Sequence, residues 1–334
     1  MKWNRTAWSV VLAAVLVVLQ GCTMVRVDLG PRMEPLEERV LAGSGSDKVL
    51  MVDLSGVMYL GGPTRSRAPW SRGEDMVSRL AEELETARKD PSIKALLVRI
   101  DSPGGTVAAA DVIYHEIDSY KRDANVKVVA DLMSVAASGG YYAALAADRI
   151  VALPTTVTGS IGVITIKLDL EKVMGRIGVK TETVKSGLYK DLWTPFRPSS
   201  DEERRIMQEM IDDMFARFLA KLKTGRPKMT EAQVQTAATA RTFTAGQALK
   251  LGLIDELAYP QEAFEAAKKL AGLDEARLVV YHRPGAWRGS IYAQAPATAD
   301  SGFDGLDMLT SPQMMYLWMP GIGAGEGMLG APRF

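Results

Sequence analysis

Short apolar runs alternate with helix-periodic segments through the middle of the chain. The runs "KVLMVDLSGVM", "KALLVRID", "VKVVADLM", "RIVAL", "IGVITI" and "KTETVK" begin at residues 48, 94, 126, 149, 161 and 180. Most are rich in Val, Ile and Leu without strict apolar-polar alternation, which predicts strands covered on both faces rather than a half-exposed sheet. Helical segments lie between them, near 74 to 88, 106 to 121, 139 to 147 and 168 to 177. Strand and helix in turn imply right-handed β-α-β crossovers and an α/β fold with a parallel sheet.

Further on, Ile206, Met210, Ile211, Met214, Phe215, Phe218 and Leu222 recur at spacings of three and four. This spacing predicts an amphipathic helix over 201 to 223, its wide apolar face suited to core packing or a subunit contact. Residues 22 to 47 read as an N-terminal linker, with Gly and Ser from residue 30 on, and the compact domain spans 48 to 284. From 285 to 334 the chain is rich in Gly, Pro, Ala and Met and ends in "MYLWMPGIGAGEGMLGAPRF", a tail expected to be mobile or to dock late.

The first 21 residues have a different character. Lys2 and Arg5 precede an apolar stretch from Ala7 to Leu19 that is short for a membrane span, and the stretch ends in "LQGC". A small residue before the chain's single cysteine resembles a bacterial lipobox, in which Cys22 is lipidated and becomes the mature N-terminus. Gln20 departs from the small residue usual at that position, and an uncleaved signal anchor is the competing reading. Both place the domain in the cell envelope outside the cytoplasm, tethered to a membrane. With one cysteine there is no internal disulfide, so stability must come from the core.

Composition narrows the chemistry by exclusion. At 334 residues and 47% hydrophobic, the chain is long enough for a large core of one domain or two. Forty basic residues balance forty acidic ones, so the overall charge carries no nucleic-acid footprint. His115 and His282 are the two histidines, and no HExxH or paired CxxC occurs, which leaves metal chemistry without its usual ligands. GxxxxGK[ST] and a strand-linked GxGxxG are also missing, so no cofactor is expected.

Two glycine-bearing turns remain, each where a strand hands over to a helix. In "RIDSPGGTVAAAD" the sequence Pro103-Gly104-Gly105 permits tight backbone approach, either as a plain turn or as a set of amides able to hold a developing oxyanion. In "DLMSVAASGGYYAALAADRI", Ser138 falls at a helix start, where serine is a common N-cap and where a nucleophile would also be well placed. A nucleophilic serine needs a base. His115 lies within a helix and His282 near the tail, and the sequence excludes neither; the alternative is a lysine made neutral by an apolar setting. "VKSGLYKDLWTPFRP" supplies two such lysines, Lys185 and Lys190, among Leu188, Tyr189, Leu192, Trp193 and Phe196.

Five short pieces taken in order carry a resemblance: "DSPGG" at 101 to 105, "AASGGYY" at 136 to 142, "TGSIGV" at 158 to 163, "KSGLYKD" at 185 to 191 and "RTFTAGQALKLGLID" at 241 to 255. Together they resemble the signal peptide peptidase A (SppA, protease IV) family of serine peptidases, over roughly residues 49 to 270. The resemblance implies a ClpP/crotonase-type α/β fold in its short, single-domain form. It makes Ser138 the nucleophile and Lys190 the general base, with Lys185 structural and Ser160 holding the lysine amine. It assigns the oxyanion hole to the backbone amides of Gly104 and Gly139.

The same resemblance implies peptide substrates, namely spent signal peptides and other unfolded segments, cleaved through an acyl-enzyme. It also implies a homo-oligomeric ring, such as an octamer, in which neighbouring subunits supply the serine and the lysine of each site. The tail and the loop "GGPTRSRAPWSRG" lie outside it. Two other classes remain open on the sequence: an acyl-thioester enzyme of the same fold, and a catalytically silent envelope lipoprotein. For the anchor, Cys22→Ala is expected to release the protein from membranes or to block its processing. Unchanged extraction behaviour and mass would instead show an uncleaved anchor.

Overall fold

The computed structural model describes residues 34–61, 75–284, 289–292 and 314–318. Cys22 and the leader lie outside the described residues, as does most of the loop after Leu60.

The strands β1 (Glu37–Gly43), β2 (Lys48–Ser55), β3 (Ile93–Ser102), β5 (Lys127–Ala137), β6 (Arg149–Ala152), β9 (Glu256–Leu257) and β10 (Arg277–His282) form one sheet in the order β1-β10-β2-β3-β5-β6-β9. Every pairing along that order is parallel except β1 with β10. The helices α1 (Met76–Ala87) and α2 (Val107–Asp123) connect β2 to β3 and β3 to β5, and α8 (Pro260–Ala271) leads into β10.

Both faces of the sheet are covered, which explains the near-continuous apolar runs. On one face Leu50, Val52 and Leu54 of β2 and Leu96, Val98 and Ile100 of β3 meet Leu80 and Leu84 of α1 and Ile113 and Ile117 of α2. On the other face Val49, Met51, Leu97 and Val129 meet Ala263, Phe264 and Ala267 of α8. The expected α/β architecture is therefore present.

Some local expectations differ. β1 lies inside the segment read as a linker and covers the edge of β10. "KTETVK" and "IGVITI" are not strands: the first is exposed with no ladder partner, and the second contributes one bridge, from Ile164 to Met315. Within the tail, β11 (Met315–Leu317) pairs antiparallel with β4 (Gly104–Thr106), a short strand that contains both glycines of the first turn. The long helix appears as α5 (Asp201–Gly225), opened by a capping box between Ser200 and Glu203. Its C-terminal half buries Phe218 and Leu222, whereas Met210 is left exposed.

One row of charges crosses the sheet beneath this packing. Asp53, Arg99 and Asp131 are register neighbours on β2, β3 and β5, and Arg99 Nε lies 2.8 Å from Asp53 Oδ1. Asp131 is fully buried and neither carboxylate oxygen has a hydrogen-bond partner among the described residues. Burial, only partly offset by the Arg99 charge, pushes its carboxyl up to about 7. The unfolded chain ionises this group near 3.8, so the folded state holds the extra proton between the two values. Its contribution to stability is therefore complete below pH 3.8 and is lost as pH rises towards 7. Asp131→Asn should remove this slope and raise the urea midpoint most above neutral pH. Parallel profiles for both proteins between pH 4 and 8, a window of about four units spanning both ionisations, would show that Asp131 does not carry a proton into the fold.

Candidate active site

β5 is divided between two sets of neighbours. Residues 129–132 pair with β6, and residues 135–137 pair with β7 (Val157–Gly159) after a register break against β3. β7 in turn pairs antiparallel with β8 (Thr242–Thr244). The strand thereby exchanges β6 for β7 as its neighbour on one edge and delivers Ser138 to the start of the short helix α3 (Gly139–Ala144).

Ser138 does not cap that helix. Its backbone has φ 53° and ψ −114°, and its side chain makes no capping bond. A non-glycine residue held there costs about 1–3 kcal/mol, sustained by the surrounding structure. What holds it is backbone: the Ser138 N–H donates to Gly159 O at 2.7 Å, and the Tyr142 N–H donates to Ser138 O at 2.8 Å. The side chain is 1% exposed, and its hydroxyl has no hydrogen-bond partner among the described residues.

Two glycines make the approach possible. A methyl built on Gly140 would lie 2.7 Å from Ser102 O, and one built on Gly104, at φ +101°, would lie 2.7 Å from Gly139 N and overlap the Tyr316 carbonyl. The turn after β3, the start of α3 and Tyr316 therefore meet in backbone contact beside Ser138.

The sequence-predicted residues divide into two groups. Ser138, Gly104 and Gly139 converge. Ser160 follows the pair Ala137↔Gly159 just as Ser138 does, and it is buried with φ 53° and its N–H donated to Arg241 O at 2.9 Å. Lys190 is not brought to them in the single chain. It sits on an exposed arm that includes α4 (Glu171–Arg176), its N–H donates to Gly187 O at 3.2 Å, and its amine makes no hydrogen bond or ion pair among the described residues. Lys185 is engaged instead, with Nζ 2.6 Å from Asp191 Oδ1 and 2.9 Å from Leu188 O. Hydrogen bonds from Arg197 and then Lys185 hold the Asp191 carboxyl well below the usual carboxylate range.

The Gly104 amide has another use. Its N–H donates to Ser102 Oγ at 3.1 Å, and that hydroxyl donates to Gly56 O at 2.6 Å. The amide turned toward the junction is that of Gly105. In the ladder to β11, the bonds Val107 N–H to Met314 O (3.1 Å) and Trp318 N–H to Pro103 O (2.8 Å) bracket the pair Gly105↔Tyr316. Antiparallel ladders exchange both bonds at every second pair, so Gly105 faces the Tyr316 carbonyl. A glycine doublet in the sequence gave no basis for choosing between the two.

Sequence reasoning also missed an aromatic pocket behind Ser138. Tyr142 and Phe218 lie 5.0 Å apart between ring centroids, and Tyr114 flanks Tyr142 at 5.6 Å. The Tyr142 hydroxyl donates to Asp111 Oδ1 at 2.6 Å, and Arg217 of α5 pairs with the same carboxylate at 2.8 Å, tying three helices around the pocket. Burial works against the Asp111 charge, but the bonds from Arg217 and Tyr142 prevail and lower its pKa. "YY" following "SGG" was the available signal. No cluster able to hold a metal occurs among the described residues.

Comparison with known proteins adds the following. The model of Peptidase family S49 matches residues 120–274. A candidate protease of Synechocystis is 43% identical over 180 residues, 54% of this chain and 64% of that one. A candidate signal peptide peptidase SppA of Enterococcus faecium is 29% identical over 297 residues, 85% of each chain. The chloroplastic serine protease SPPA of Arabidopsis thaliana is 34% identical over 247 residues, 72% of this chain and 35% of that one. The chain thus spans just under two thirds of the first and about a third of the last. Among solved structures, a ClpP1 mutant from Listeria monocytogenes superposes with a TM-score of 0.41 at 16% identity, covering 64% of this chain and 93% of that one.

The strain at Ser138 can be measured. Glycine accepts a positive φ without cost, so Ser138→Gly should be more stable than Ser138→Ala by about 1 kcal/mol in chemical denaturation. The ordinary order, alanine above glycine, would show that the backbone is not strained there.

Proposed function

The chain belongs to the S49 family of serine peptidases, and on that premise we propose that it hydrolyses peptide bonds with a Ser138–Lys190 dyad completed between neighbouring copies. The observation that carries the serine's role is its setting: a buried hydroxyl without a hydrogen-bond partner among the described residues, on a strained backbone, between two glycine-rich turns. Neutral Lys190 takes the hydroxyl proton as Ser138 Oγ attacks the peptide carbonyl, and the lysine returns that proton to the departing amine. Water deprotonated by the same lysine then releases the acyl-enzyme. The Gly139 amide, with Gly105 in place of Gly104, holds the oxyanion, a donor of this kind being worth about 3 kcal/mol. Ser160 orients the lysine amine.

A lysine acts as a base when apolar cover keeps it neutral. In the single chain the arm lacks that cover: α4 has no buried residue, and Ile177, Val184 and Leu188 are 70%, 95% and 70% exposed. An exposed apolar strip of this kind suits an interface. We assign it to a second copy, in a ring such as an octamer, whose contact would cover the arm and carry Lys190 to a neighbouring Ser138. The exposed half of α5 belongs to the same face of the proposal.

Substrates in this reading are spent signal peptides and other unfolded segments, and lipid at Cys22 would keep the domain at a membrane outside the cytoplasm. Among the described residues no helix is long and apolar enough to cross a membrane.

Ser138→Ala and Lys190→Ala should each abolish hydrolysis of an internally quenched peptide while leaving the oligomer intact. Because the two residues come from different copies, mixing the two inactive variants under conditions of subunit exchange should restore about a quarter of wild-type activity. A mixture as inactive as its components would place serine and lysine in one chain, and full activity of the Lys190 variant would remove the base.

A further inference from the structure

The arm that carries Lys190 begins near Lys167 and ends at Ser199, and its feet are tied together. The Lys167 amine donates to Arg197 O and to Ser199 Oγ, each at 2.7 Å, and the Leu170 N–H donates to Pro195 O at 2.8 Å. One guanidinium then joins three parts of the chain. Arg197 Nε donates to Asp191 Oδ2 at 3.1 Å, and its two terminal nitrogens donate to Glu203 Oε2 and Oε1 at 2.8 and 2.5 Å. Asp191 is the residue after Lys190, and its other oxygen takes the Lys185 amine. Glu203 is buried in the first turn of α5, where it also accepts from the Ser200 N–H at 2.8 Å as half of the capping box. Through Arg197 the backbone beside the general base is fastened to a helix start.

A single solvated ion pair on a surface contributes little. Here the Glu203 carboxylate is 5% exposed, its contact matches the two prongs of the guanidinium, and a second carboxylate shares the same nitrogen at 3.0 Å. The Arg197 bond foremost, helped by the Ser200 N–H, holds the Glu203 carboxyl down to about 2 against the opposing effect of burial. The junction therefore stays ionised at every pH where a neutral lysine can act. Trp193, between Asp191 and Arg197, sits at φ 63°, a conformation that a bulky residue keeps only where its surroundings over-determine it. Because the Lys190 amine makes no hydrogen bond or ion pair among the described residues, its placement comes from its backbone.

We infer that Arg197 is a positioning residue for the reaction: anchored by Glu203, it fixes Asp191 and so sets where the adjacent Lys190 amine stands when a second copy covers the arm. This inference rests on the Ser138–Lys190 reading and adds to it the pair of residues that aims the base.

The test uses the full-length protein and an internally quenched peptide. Arg197→Ala should lower kcat about a hundredfold with KM little changed, the loss expected when a reacting group is displaced by about 1 Å. A loosened arm also leaves the base less well covered, and a less covered lysine is neutral only at higher pH. The acid limb of the kcat/KM profile should accordingly move up by about one pH unit. Arg197→Lys keeps the charge but not the fork and should recover little, whereas millimolar methylguanidinium, far below denaturing concentrations, should restore activity to Arg197→Ala as its concentration rises. Ser200→Ala serves as the control for helix capping: it should lower the thermal midpoint and leave kcat and the pH profile at wild-type values. A folded, assembled Arg197→Ala protein with wild-type kcat and pH profile would overturn the inference, as would the same losses in Ser200→Ala. If Arg197→Ala fails to assemble, Glu203→Gln keeps the cap but weakens the pairing, and an unmoved acid limb in that variant overturns the inference as well. Full activity of Lys190→Ala would instead overturn the reading on which the inference rests.

Discussion

Backbone against backbone is the contact on which the candidate site depends. At the end of β5 the chain must turn into α3 while lying against the turn after β3, and there is no room for a side chain at Gly104 or Gly140. The bond that the Ser138 N–H donates to Gly159 O, and the helix-opening bond from the Tyr142 N–H to Ser138 O, then hold Ser138 at φ 53°. The cost of that conformation is met by the two-sided core behind it, in which β2, β3 and β5 bury apolar side chains on both faces. A loosely packed sheet could not keep a serine there, and a relaxed serine would cap the helix instead of presenting its hydroxyl.

Much of the scaffold was legible because its periodicities are strong. Strands covered on both faces read as apolar runs, and α1, α2 and α5 carry regular apolar spacing. Segments whose partners are remote were harder to read. β1 is short and largely exposed, and its place is set by β10, which lies more than 200 residues further on in the register Glu37↔His282. "IGVITI" has strand composition, but only Ile164 finds a partner, and that partner is in the tail. Within the candidate site, the motif placed Ser138 between the glycine turns, whereas the bond that the Gly104 amide donates to Ser102 Oγ has no signature in the sequence. The aromatic pocket joins α2, α3 and α5, and the "YY" after "SGG" was its one local sign.

The two parts of the site outside the compact core have opposite characters. The arm bearing Lys190 leaves Ile177, Val184 and Leu188 uncovered in the single chain. The tail strand is apolar and fully covered, with Tyr316 buried in the aromatic cluster and its main chain bonded on both edges. In the proposed reading assembly would bring the base that a single chain lacks. That step acts on Ser138 from outside and leaves its strained backbone unchanged.

The central claim is that Ser138 is a nucleophile rather than a buried structural serine. The most direct measurement is treatment of the full-length protein with a fluorophosphonate, followed by mass spectrometric mapping of the adduct. The account predicts a single covalent adduct on Ser138 and loss of hydrolysis in proportion to labelling. Hydrolysis that persists in fully treated protein with Ser138 unmodified would contradict it.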